Sequence, residues 1–62
     1  MYIPIMRERV EVAGRNDVFL VLAVNLGTQT VELVPLMSAE YVLEVPFSVV
    51  RPFRAEIPVE TL

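Results

Sequence analysis

Ser38, Ser48, Thr28, Thr30 and Thr61 are the hydroxyls that could attack an electrophile. A hydroxyl nucleophile needs an adjacent base to take its proton. The chain contains no histidine, no lysine and no cysteine. General acid–base chemistry near neutral pH most often uses histidine, so that route is closed. Seven glutamates and Asp17 are the remaining proton carriers. A carboxylate pair could hydrolyse a glycoside, but that needs a walled cleft, and a chain of 62 residues has little wall to build one. A metal would need all-oxygen ligands, and Asn16-Asp17 is one short pair rather than a loop of alternating ligands. Gly14 and Gly27 are the only glycines, too few for a loop that cradles phosphate. The expectation is a non-catalytic protein with no catalytic residues, no cofactor and no metal site.

Charge offers a second kind of chemistry. All five basic residues are arginine, and the formal net charge is −3. Arg7 and Arg9 lie near one end of the sequence, Arg51 and Arg54 near the other, with Phe53 between the latter two. If the first and last strands are neighbours, these four arginines form a patch for an anion or a nucleic acid, since arginine binds phosphate in bidentate fashion and stacks on bases. The opposing expectation is that they pair with Glu8, Glu11 or Glu56 on a solvated surface, where such pairs contribute roughly 0–1 kcal/mol. The acidic balance favours the second expectation.

The elements that would position these groups are strands. Prolines at positions 4, 35, 46, 52 and 58 leave few windows for a helix. The segments between them are rich in Val, Leu, Ile, Phe and Tyr, residues that suit a pleated, half-buried surface. Arg7 to Ala13 alternates, with Val10 and Val12 on one side and Arg9 and Glu11 on the other. Gly14-Arg15-Asn16-Asp17 is a turn in which glycine supplies positive φ. Val18 to Val24 is an unbroken apolar run, and Leu26-Gly27-Thr28-Gln29 is a hairpin whose glycine is placed for the reversal. Thr30 to Leu36 alternates with Val31 and Leu33 inward, and Pro35 belongs at a strand end or on an edge. Tyr41 to Val45 is a fourth strand with Tyr41, Leu43 and Val45 on one face. Pro46 to Val50 fits a single 3₁₀ turn, and Arg51 to Arg54 a last short strand. Ala55 to Leu62 is a sixth strand or a loosely held tail. The whole chain, 1–62, is one small domain, with 1–6 and 55–62 as loosely packed terminal segments.

Four strands, a one-turn helix and a fifth strand make an order that resembles the SH3-like small barrels, Tudor-type domains in particular. The resemblance spans Arg9 to Arg54 and is carried by Val45-Pro46-Phe47-Ser48-Val49-Val50-Arg51-Pro52, where a strand ends in proline, turns once and re-emerges. It implies an all-β fold, a small SH3-like barrel of about five strands with a one-turn 3₁₀ helix before the last strand. Tudor-type domains can also hold a methylated cation in an aromatic cage. Here Phe19, Tyr41 and Phe47 are expected in the core instead, leaving Tyr2 and Phe53.

A barrel strand has one inward face, so the run Val18 to Val24 leaves an apolar set facing out. Val18, Leu20, Leu22 and Val24 are the candidate interface, covered by the chain's own ends or by another copy. Small domains often gain burial by oligomerising. The leading expectation is therefore an interaction module acting through protein contacts, with a protein partner or itself as a homodimer. A nucleic-acid-binding module and an accessory subunit of a larger complex are the alternatives. No run of 18 apolar residues occurs, so no membrane partner is expected. The start, Met1 to Met6, is too short and uncharged for a signal peptide, so cytoplasmic residence is the expectation.

Overall fold

A computed structural model describes residues 2–54. The expected extra strand or tail at Ala55 to Leu62 lies outside these residues. The fold is all-β. Strands β1 (Arg9–Val12), β2 (Val18–Asn25), β3 (Thr30–Pro35), β4 (Leu43–Pro46) and β5 (Val50–Pro52) form one antiparallel sheet, and a 3₁₀ turn, Phe47–Val49, precedes β5. The strand order is β4-β3-β2-β1-β5, so the first and last strands are neighbours as expected. Among the described residues no helix is long and apolar enough to cross a membrane.

That order sets a geometric problem. Strands β4 and β5 are the two edges of the sheet, yet only three residues join them. Five strands lying flat, spaced by about 4.8 Å, would hold their outer edges roughly 19 Å apart. A 3₁₀ run from Pro46 to Val50 advances only about 8 Å. The sheet therefore curls until its two edges approach one another at this end, without closing. The 3₁₀ turn is bonded to both halves of the roll: Phe47 N–H donates to the Gln29 carbonyl at 2.9 Å, and Ala13 N–H donates to the Val49 carbonyl at 2.8 Å. No hydrogen-bonded ladder joins β4 to β5 among the described residues.

Rolling encloses one apolar cluster: Val10, Val12, Phe19, Val21, Val31, Leu33, Phe47 and Val50 are buried, with Leu43 and Val45 of β4 packed against them. The alternations of β1 and β3 point Val10, Val12, Val31 and Leu33 inward as expected. Strand β2 does not keep one alternation. Its register with β3 slips between Val21 and Ala23, so Val21 faces Leu33 while Ala23 faces Glu32 and Val24 faces Val31. Leu22 is the extra residue of a β-bulge, and a bulge bends its strand. Phe19 and Val21 point inward before it, and Val24 points inward after it, against the core. The candidate interface set is therefore corrected: Val18 and Leu20 face outward, Leu22 sits on the bulge, and Val24 belongs to the interior. A one-residue slip moves every later side chain to the other face, and no apolar pattern encodes where the slip falls.

Two other expectations change. Tyr41 lies before β4, not within it, and is 42% exposed rather than in the core. In the β2–β3 hairpin the residue with positive φ is Gln29, at 58°, not Gly27. The Thr28 N–H donates to the Asn25 side-chain oxygen at 3.1 Å. A Cβ on Gly27 would approach that same oxygen to 3.3 Å, so glycine here gives room for the cap rather than freedom of φ.

The N-terminal segment is tied to the core. Tyr2 packs against the buried cluster and Pro4 is buried. The Tyr2 hydroxyl donates to Glu8 Oε1, which also accepts the Ile5 N–H at 3.1 Å. Burial first, then the hydrogen bond to Glu8 and its charge, holds the Tyr2 phenol well above the usual range. Strand β1 is flanked by two similar turns. One runs Val12 to Arg15, closed by Arg15 N–H to the Val12 carbonyl at 3.0 Å, with Gly14 third at φ 81°. The other runs Ile5 to Glu8, closed by Glu8 N–H to the Ile5 carbonyl at 3.0 Å, with Arg7 third at φ 70°. Glycine fits that position; a residue with a Cβ is strained there.

Two outcomes follow from these contacts. Arg7→Gly relieves the strain and raises stability by about 0.5–1 kcal/mol, several degrees in Tm for a domain this small; thermal unfolding that is unchanged or lowered would count against the strained turn. A phenol whose folded pKa is raised keeps its full contribution below the unfolded value, about pH 10, and loses it progressively as pH rises above that. Urea midpoints therefore drop between about pH 9 and about pH 11 in the native protein, and drop less in Tyr2→Phe; equal drops would refute the Tyr2 assignment.

Candidate functional site

On the outer face of the sheet, two rows of side chains cross the strands. Paired residues of an antiparallel ladder project from the same face. Arg9 pairs with Leu20, Leu20 with Val34, and the Phe53 N–H donates to the Arg9 carbonyl at 3.1 Å, giving the row Phe53, Arg9, Leu20, Val34. Arg51 pairs with Glu11, Glu11 with Val18, and the Leu36 N–H donates to the Val18 carbonyl at 3.0 Å, giving the row Arg51, Glu11, Val18, Leu36. Pro35 closes β3 as expected, and the chain bonds once more to β2 beyond it.

A groove of about 490 Å³ opens over these rows. Its floor takes Arg9, Val18 and Phe53 from the sheet; Asn16 and Asp17 of the β1–β2 loop form one wall, and Leu36, Met37, Ser38 and Tyr41 of the β3–β4 loop the other. The volume falls in the range of small-ligand and peptide-side-chain sites. The lining is chiefly apolar, and Met37 is 95% exposed.

Arg15 ties the two walls together. Its guanidinium donates to the Tyr41 hydroxyl at 2.9 Å, stands 5.6 Å from the centre of the Phe19 ring, and approaches Asp17 at 4.0 Å. A cation over an aromatic face adds roughly 0.5–1 kcal/mol at an exposed site. Sequence reasoning places Arg15 in a turn and assigns it nothing else. Its partner, Tyr41, is 26 positions away, and the pairing of β2 with β3 sets the β1–β2 and β3–β4 loops side by side at one end of the sheet.

The four expected patch arginines are split. Arg51 lies opposite Glu11 and bonds to it at 2.9 Å, the paired arrangement. Arg9 lines the groove, and Arg54, next to Phe53 in sequence, lines a separate depression of about 560 Å³ with Glu11, Arg51 and Pro52. Arg7 is in the strained turn, beside Val21 of β2, to whose carbonyl its N–H donates at 2.8 Å. Of the aromatic residues, Phe19 and Phe47 are in the core and cannot form a cage, whereas Tyr41 and Phe53 face the groove.

The other end of the sheet is acidic. Glu32 and Glu44 lie directly opposite one another across β3 and β4, both exposed, beside a second depression of about 400 Å³. Like charges so placed repel. Among the described residues, no three His, Cys, Asp or Glu side chains group to hold a metal ion. Compared with known protein families, curated proteins and solved structures, the chain matches none of them.

Proposed function

We propose that this chain is a non-catalytic interaction module, a small barrel of the SH3-like kind, which holds a segment of a partner protein in the groove between its β1–β2 and β3–β4 loops. The observation that carries this reading is the groove itself: a chiefly apolar lining, with Tyr41 and Phe53 exposed to it and Arg9 in its floor, framed by two loops that Arg15 joins through Tyr41. Strand order, the rolled sheet and the 3₁₀ turn between the edge strands support the barrel description. A chain without histidine, lysine or cysteine has few groups for bond-making chemistry, which supports a docking role.

Selection from a random peptide library on the folded protein is the direct test. Peptides enriched on the native chain lose binding to Tyr41→Ala and Phe53→Ala while both variants unfold at native-like temperatures. A library that yields no binder, or binders indifferent to both changes, would remove the groove from consideration.

Self-association is a second reading, favoured by a separate apolar spot. Leu22 on the bulge is 40% exposed, and the neighbouring turn leaves Ile5 66% and Met6 59% exposed. The Arg7–Val21 hydrogen bond holds that turn beside the bulge. In light scattering at high micromolar concentration the native chain runs as a dimer and Leu22→Ser runs as a monomer; a native monomer would end this reading.

A further inference from the structure

Resting on the reading of the groove as a peptide-docking site, we propose that its partner is a short apolar segment of another protein that carries a carboxylate side chain. The overall charge of −3 points the other way, towards a basic partner. Charge around the groove is distributed differently from charge over the whole chain. Arg9 lines the groove, Arg15 bonds to Tyr41 in its wall, and Arg51 and Arg54, on either side of Phe53 in sequence, line a separate depression. Two of them already face carboxylates: Arg51 bonds to Glu11 at 2.9 Å, and Arg15 stands 4.0 Å from Asp17. Among the described residues Asp17 is the one carboxylate that lines the groove, and Arg15 stands 4.0 Å from it. Among the described residues, Arg9 in the floor and Arg54 beside Phe53 have no carboxylate within ion-pair distance. Glu40 is in the β3–β4 loop but does not line the groove. The opposed pair Glu32 and Glu44 belongs to the far depression.

A guanidinium set among apolar side chains is best satisfied by a carboxylate that it can grip with two parallel hydrogen bonds. A lysine-bearing or methylated cationic segment would instead press like charge against Arg9, an arrangement that excludes partners as effectively as good contacts select them. A phosphate would suit Arg9 equally well. A nucleic acid, however, would bring a continuous run of negative charge against a chain of net −3, and it would leave Leu36 and Met37 without apolar contacts. The peptide is therefore the favoured occupant.

The test is an NMR titration of the full ¹⁵N-labelled chain with synthetic hexapeptides of valine, isoleucine and proline around one variable central residue: glutamate, glutamine or lysine. An oligothymidylate is titrated in parallel. The glutamate peptide binds about threefold to fivefold more tightly than the glutamine peptide, the size expected for one solvent-accessible ion pair, and the lysine peptide binds most weakly. Shifts concentrate at Val18, Leu36, Tyr41 and Phe53. In Arg9→Gln, whose exposed side chain can change without unfolding the chain, the glutamate and glutamine peptides bind equally. Equal binding of these two peptides to the native chain would overturn the carboxylate inference and leave the docking site standing. So would an unchanged preference in Arg9→Gln, or binding of the oligothymidylate more tightly than the glutamate peptide. Failure of all three peptides to bind would overturn both.

Discussion

The connector Phe47–Val49 is the constraint from which the rest of this structure follows. It is short, and it joins strands that the sheet order places at opposite edges. A flat or gently twisted sheet cannot satisfy it. The connector also carries Phe47 into the interior, where the ring joins Phe19 and Leu33, so the group that closes the roll is part of what fills it. Its two backbone bonds, to Gln29 and from Ala13, replace strand pairing at the seam. Backbone polar groups that would otherwise be left without partners near the core are satisfied there.

The bulge at Leu22 is the local response to that demand. A strand that takes part in both halves of a rolled sheet has to bend, and an inserted residue is how antiparallel strands bend. It explains why Val18 to Val24 is apolar throughout. The inward-facing set changes partway along, so residues of both alternations meet the core. It also limits the apolar surface left outside. Val24 is withdrawn from it, and within the run Val18 to Val24 Leu22 is the residue left most open to water. The N-terminal segment adds cover through Tyr2 and Pro4, and Glu8 holds it by accepting two hydrogen bonds.

Rolling has a consequence for charge. Strands β1 and β5 become neighbours, so Glu11 and Arg51, 40 positions apart, form an ion pair across them. The same pairing sets Arg9 beside Phe53 under the groove. At the opposite end the β3–β4 pairing sets Glu32 against Glu44. The molecule is thus polarised along its sheet, with arginine at the groove and glutamate at the far depression, and its net charge is a poor guide to the field at either end.

Residue types alone determined several properties. Scattered prolines and alternating valines required short strands, and the backbone follows that requirement closely at β1, β2 and β3. The proline-bracketed segment before Arg51 required one tight turn between the last two strands. Positive φ at Gly14 was legible because only glycine adopts it without strain. Other properties depended on register and on contacts between distant residues. Where β2 slips, that Arg7 occupies a glycine-like turn position, that Tyr41 leaves the core to meet Arg15, and which arginines are neutralised all follow from which strand lies beside which. A periodic apolar pattern specifies a face and a spacing. It carries no record of the partner opposite, and that partner is chosen only when the sheet rolls and its two edges are drawn together by three residues.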